Sequence, residues 1–231
     1  MSTPLVSYTL EGSTAVLQMD DGKANALSPA MVDELLAALR RAEKEAAAVV
    51  LVGRAERFCA GFDLRVMMSG RDAALALLQR GRELLLGFYG TPLPVVVACS
   101  GHALAGGALL VLTGDLRLGI AGPFKIGLNE VAIGLPVPSL AMEFARDRLS
   151  KRALTRATLH AEIYAPDDAV ATGYLDALVP TAELVDRAKA EAARLGALSR
   201  GAYAATKQLL RQPTIDRIRA GLDAELARLT G

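Results

Sequence analysis

Three short segments of the chain combine small residues with groups that can handle charge. They are Phe58-Cys59-Ala60-Gly61-Phe62-Asp63-Leu64, Gly101-His102-Ala103-Leu104-Ala105-Gly106-Gly107, and Ile126-Gly127-Leu128-Asn129-Glu130-Val131-Ala132-Ile133-Gly134. The first two read as tight turns that follow buried strands. Glycine lets a main chain bend sharply and come close to a ligand. The second turn also opens a helix, whose first amides have no partner inside the helix and whose dipole favours negative charge. Two such turns can aim two main-chain N–H groups at one oxygen, forming an oxyanion hole. Losing one donor of that kind costs about 3–4 kcal/mol of transition-state stabilisation. Taken singly, each turn is also what ordinary helix–strand packing requires.

Glu130 supplies an acid. It is the only charged residue between Lys125 and Glu143, and Val131, Ala132 and Ile133 follow it. Among apolar groups its carboxyl would be hard to ionise, which raises its pKa toward the range of a general base and acid. On the surface it would be an ordinary solvated glutamate. Local context leaves both open.

The elements that must position these groups can be read from hydrophobic spacing. Val6 to Leu10 and Ala15 to Met19 read as strands around the turn Glu11-Gly12-Ser13. Ser28-Pro29 opens a helix, with Ser28 as cap and Pro29 in the first turn, and Met31, Leu35, Leu39 and Ala42 recur on one face. Ala47 to Val52, Leu93 to Ala98 and Leu116 to Ile120 read as buried strands. Arg71 to Tyr89 reads as a helix with Leu75, Leu78, Leu85 and Phe88 inward, and Gly106 to Leu112 as a short apolar helix. Beyond Pro138 the chain turns mostly helical, with helices expected over Pro138 to Leu149, Lys151 to His160, Pro166 to Thr172, Ala182 to Leu195 and Tyr203 to Arg211. A last helix carries the stripe Ile215, Ile218, Leu222, Leu226 and Leu229, which could pack on its own domain or on a neighbouring subunit. Strands alternating with helices predict an α/β core with a partly parallel sheet, over 1–180, and a helical region over 181–231.

Composition removes several function classes. With Lys+Arg 26 against Asp+Glu 25, the net charge of +1 offers no basic excess for a nucleic acid. Cys59 and Cys99 make no disulfide framework and fit a reducing cytosol, so a cytoplasmic location is expected. His102 and His160 are too few for a His-rich metal site. Met1-Ser2-Thr3-Pro4 shows no basic region followed by an apolar run, so no targeting signal is expected. The stretch from Glu83 to Asp115 has no charged residue inside it, but its prolines, six glycines, Ser100 and His102 argue against a membrane span. No nucleophile-elbow, P-loop, dinucleotide-binding or zinc-protease motif occurs. Of the remaining polar groups, His102, Cys59 and Asp115 are expected to be structural. Lys207 is expected either to meet an anionic phosphate or to lie on the plain surface.

In this order and at these distances, the three segments resemble the crotonase (enoyl-CoA hydratase/isomerase) superfamily, over about Val6 to Val179. The resemblance implies a spiral of ββα units with a C-terminal helical region, assembled as a trimer or a dimer of trimers through those helices. It implies an acyl-CoA thioester as partner, with no metal or redox cofactor and coenzyme A arriving as part of the substrate. The amides of Phe62 and Gly106 would bind the thioester oxygen. The loop Lys23 to Leu27, with Lys23 and Ala24, would lie along the CoA moiety together with Ala60, Asp63 and Leu64. Hydratases of the family usually carry two glutamates. Glu130 matches the second position, but Leu109 stands at the first and makes that side of the pocket apolar. Ala105-Gly106-Gly107 ahead of Leu109, with Gly127-Leu128-Asn129-Glu130, is similar to the Δ3-Δ2-enoyl-CoA isomerases, which use a single glutamate. The expected reaction is therefore a double-bond shift, with hydration of a 2-enoyl-CoA and a non-catalytic CoA-binding scaffold as alternatives.

Overall fold

The structure, a computed structural model, describes residues 3–230, and the surroundings of side chains as far as position 221. β1 (Val6–Glu11) and β2 (Thr14–Met19) pair antiparallel around Gly12, whose φ is 59°. α1 (Pro29–Glu45) begins where the capping residues dictate: Ser28 Oγ accepts the Met31 N–H at 3.2 Å, and Met31, Leu35, Leu39 and Ala42 are all buried.

A strand–strand–helix unit then recurs three times. The first strands are β3 (Ala48–Val52), β5 (Val95–Cys99) and β7 (Leu116–Ile120); the second strands are β4 (Glu56–Cys59), β6 (Gly101–Leu104) and β8 (Ile126–Gly127). β4 leads into α2 (Leu64–Met68) and α3 (Arg71–Gly90), β6 into α4 (Gly106–Leu112), and β8 through a single 3-10 turn into α5 (Ser139–Arg148). The first strands join a six-stranded sheet in the order β1-β2-β3-β5-β7-β9, where β9 is Ala177–Val179. The second strands form a separate parallel sheet in the order β4-β6-β8. The remaining helices are α6 (Leu154–Thr158), α7 (Pro166–Thr172), α8 (Leu184–Gly196) and α9 (Arg200–Thr230).

β3 and β5 are buried along their whole length, as parallel strands covered on both faces must be. Alternate residues serve opposite layers. Val49, Leu51, Val95 and Val97 join the main core with α1 and α3, whereas Val50, Val52, Val96 and Ala98 meet Leu184, Ala188 and Ala192 of α8.

Some expectations need correction. On α3 the buried face is Leu77, Gly81, Leu84, Leu85 and Phe88; Leu75 is exposed, and Leu78 is half-buried at a cavity wall. The two helices expected over Tyr203 to Arg211 and from Ile215 onward are one, α9, which runs through Pro213. Proline removes one N–H and crowds the carbonyl four residues back. Pro213 lies on the exposed side beside exposed Leu209, while Arg211, Thr214, Ile215 and Ile218 are buried on the other, so packing holds the helix together across it. Leu222, Leu226 and Leu229 of the expected stripe lie outside the described side chains. The helix expected over Lys151 to His160 is shorter, limited to α6.

Candidate active site

The three sequence segments are the C-terminal ends of three neighbouring parallel strands. β6 sits in the middle, with Cys59 of β4 opposite Ala103 and Gly127 of β8 opposite Leu104. Phe62 follows β4, Gly106 follows β6 and Glu130 follows β8, each within three residues of its strand end. Register therefore brings together groups far apart in sequence, at the edge where parallel sheets commonly place ligands.

The first bend is held by the loop before α1. Ala60 donates to Ala24 O at 3.0 Å, Leu27 to Gly61 O at 2.8 Å and Asp63 to Leu27 O at 3.2 Å. In this parallel bridge the bonds go to the neighbours of Phe62, so the Phe62 N–H points away from Leu27 and is left free of the bridge. Gly61 has φ 95°, and a Cβ there would stand 2.9 Å from Leu104 O and 3.3 Å from Gly106 N. The two bends are thus in contact. Gly106 is the first residue of α4, where an amide has no helical partner. Ala105 before it holds φ 49°, an uncommon and strained conformation for a residue with a side chain. A Cβ on Gly107 would overlap the Cys59 carbonyl, so this glycine lets α4 lie directly on β4.

Glu130 is only 8% exposed, and its Oε2 has no hydrogen-bond partner, alone among the buried carboxyl oxygens of the described residues. Burial pushes its carboxyl above the usual range, while a main-chain hydrogen bond within the same residue pulls the other way. The phenol of fully buried Tyr174 is also pushed up, mainly by burial, and the Glu130 charge adds to the effect. Beside Phe62 and Leu109 opens an apolar cavity of about 110 Å³, walled by Leu78, Arg82 and Leu85 of α3 and by Leu140 and Ala141 of α5. A larger cavity of about 630 Å³ lies at the opposite ends of the strands, against Glu56 and Ser100, and includes neither Phe62, Gly106 nor Glu130.

A sequence profile of the family described as enoyl-CoA hydratase/isomerase matches residues 9–230. The chain belongs to that family. It is 29% identical over 227 residues to human mitochondrial enoyl-CoA delta isomerase 1, covering 96% of this chain and 75% of that protein. It is 32% identical over 234 residues to a probable enoyl-CoA hydratase of Rhodobacter capsulatus, covering 100% of this chain and 90% of the other. Among solved structures, an enoyl-CoA hydratase/isomerase family protein from Pseudomonas syringae superposes with a TM-score of 0.93 at 42% identity, over 96% of each chain. Human mitochondrial delta3-delta2-enoyl-CoA isomerase gives 0.92 at 28%, over 97% of this chain and 90% of that one. The crotonase fold expected from the three segments is therefore the fold of this enzyme.

Within this family member, the positions named from sequence fall into two groups. Phe62, Gly106 and Leu109 cluster at the strand ends, with Glu130 on the neighbouring strand end. Lys23, Ala24, Ala60, Asp63 and Leu64 run along the outer rim. Lys23, Ala60 and Leu64 are exposed, and Asp63 caps α2 by accepting the Arg65 N–H at 2.9 Å. His102 Nδ1 accepts the Lys125 N–H at 3.0 Å, and burial raises the Cys59 thiol to about 12. Lys207 is neither a surface residue nor placed to meet a phosphate: it is 6% exposed and paired to Asp115 at 2.6 Å. Among the described residues no three His, Cys, Asp or Glu side chains gather as a metal site would need, and no helix is long and apolar enough to cross a membrane.

Asn25 was not legible in advance. It is fully buried at φ 53°; its Nδ2 donates to Met19 O, Arg57 O and Phe58 O, and its Oδ1 accepts the Asp21 N–H. It thereby ties the rim loop to β4. The only local signal was an Asn inside a loop between two apolar stretches. Arg82, at the cavity wall, carries no local signal in the sequence, where only apolar spacing marks its helix.

Proposed function

We propose that this protein isomerises a 3-enoyl-CoA thioester to its 2-enoyl form. Glu130 takes a proton from C2, and the C3–C4 double bond stays in conjugation with the enolate that results. The thioester oxygen takes the negative charge and accepts hydrogen bonds from the main-chain N–H groups of Phe62 and Gly106. Glu130 then delivers the same proton to C4, and the new double bond lies between C2 and C3. One carboxyl serves both steps because it holds the proton between them. The reaction is a proton transfer without net oxidation, so the only coenzyme it calls for is the CoA of the substrate. We further propose that the protein works as a homotrimer or a dimer of trimers.

The observation that carries this reading is the buried carboxyl of Glu130, whose Oε2 has no hydrogen-bond partner, just past the end of the strand beside the one that leads into Gly106 and Leu109. A buried carboxyl whose pKa is raised by desolvation is better matched to accepting and returning a proton than an exposed one. Two backbone donors at the enolate would contribute a factor of about 10²–10³ each. Hydration of 2-enoyl-CoA is the second reading, favoured by the relatives named as hydratases. The purified protein should conjugate 3-enoyl-CoA, seen as a rise in enoyl-thioester absorbance. Water uptake by 2-enoyl-CoA without that conversion would favour the second reading, and binding of both without turnover would leave a scaffold.

A further inference from the structure

The cavity beside Phe62 and Leu109 contains one group that its apolar walls do not explain. Leu78, Arg82 and Leu85 lie four and three residues apart on α3, so all face the same way, into the cavity. Arg82 is half-buried there, and among the described residues no hydrogen bond or ion pair satisfies its guanidinium. The acids within reach of these helices are already engaged: Glu83 pairs with Arg40 and Arg80, Asp33 with Arg80, and Glu143 on α5 with Arg146 and Arg217. Arginine can lay its stem on apolar surface and leave its head in water. Here Arg82 lines the compartment where the acyl tail of a thioester held at Phe62 and Gly106 would extend. The cavity, at about 110 Å³, fits a short acyl tail.

We infer that Arg82 selects acyl groups bearing a distal carboxylate, so that the preferred substrate is the mono-CoA thioester of a short unsaturated dicarboxylic acid. The inference rests on the acyl-CoA reading of the same site. The planar guanidinium fork matches a carboxylate with two parallel hydrogen bonds, and such charge-assisted bonds gain strength where water is scarce. A terminal methyl group in the same place would leave Arg82 unpaired.

Binding of two saturated six-carbon thioesters, adipoyl-CoA and hexanoyl-CoA, tests this without any turnover. Calorimetry should give about ten-fold or tighter binding of adipoyl-CoA by the unmodified protein. Arg82→Met should bring the ratio to within about two-fold, and Arg82→Lys should restore part of it. Equal binding of the two esters, or an Arg82→Met variant that weakens adipoyl-CoA, hexanoyl-CoA and free CoA alike, would overturn the inference; the latter result would assign Arg82 to the CoA phosphates. A second arm uses the corresponding 3-enoyl thioesters, where the preference should appear in KM more than in kcat. Preference in binding with no conversion of either ester keeps the inference and sinks the isomerase reading. Conversion of both esters without preference does the reverse.

Discussion

Asp115 and Glu130 are both carboxylates drawn out of solvent, and the fold treats them in opposite ways. Asp115 accepts the Val95 N–H at 2.9 Å, the Lys207 ammonium at 2.6 Å and the Arg211 guanidinium at 2.6 Å. Burial brings the Lys207 ammonium down to about 8, against the attraction of Asp115. Glu130 has one oxygen with no donor at all. A buried polar group without a partner costs about 1–3 kcal/mol, more if charged. The first arrangement anchors α9 to the strand ends at β5 and β7. On the proposed function, the second holds a cost that a bound, proton-exchanging substrate would relieve. On that reading the contrast separates a structural acid from a chemical one more sharply than exposure does, since Glu130 is 8% exposed and the Asp115 side chain 12%.

Replacing each acid tests the contrast, starting with the largest effect. Glu130→Gln should lower kcat/KM for the double-bond shift by a factor of about 10²–10⁴ while a saturated acyl-CoA still binds; near-normal turnover in steady-state assays would remove Glu130 from the chemistry. Asp115→Ala should leave Lys207 and Arg211 without their carboxylate and lose about 3–5 kcal/mol of stability in urea unfolding. A loss under 1 kcal/mol would mean that the cluster is not the anchor described.

Glu130→Gln should also be more stable than the unmodified protein at pH 7–8. A carboxyl whose folded pKa is raised contributes most below the unfolded value of 4.5 and loses that contribution as pH rises through the folded value. The advantage of the variant should therefore shrink as pH falls toward 4, as thermal unfolding at several pH values would show; an advantage independent of pH would contradict the assigned cause. By the same shift, kcat/KM should rise with pH along a limb centred above 4.5, the base being active only when deprotonated. The smallest effect belongs to Ser28→Ala, which touches neither acid: about 1 kcal/mol of stability from the lost cap of α1, with kcat unchanged.

The sequence made the site more readable than the sheet that carries it. The three segments were visible because glycine turns and an isolated acid are local features. α1, α4 and β7 were legible from capping and apolar runs. The sheet β4-β6-β8 was not, because its strands are four, four and two residues long and show no alternation that survives at that length. Glu56 and Arg57 are exposed while Phe58 and Cys59 are buried, so β4 has one wet end rather than one wet face. The buried pairing of Lys207 was hidden for a different reason: its partner lies 92 residues away in sequence. The helices expected over Tyr203 to Arg211 and from Ile215 onward are one because buried Arg211, Thr214, Ile215 and Ile218 hold α9 together across Pro213, and those contacts are not local in sequence.

Among its described side chains α9 contributes no group to the strand-end cluster, yet it rests on both α3 and α5. Ile215 reaches Gly90 at the end of α3, and Gly221 abuts Ser139 at the start of α5. Those two helices are the jambs of the doorway through which an acyl tail would pass, and α9 is the lintel that spaces them. Altering the lintel at Ile215 or Ile218 would be felt as a change in which tails fit, with the acid and the two amides left as they were.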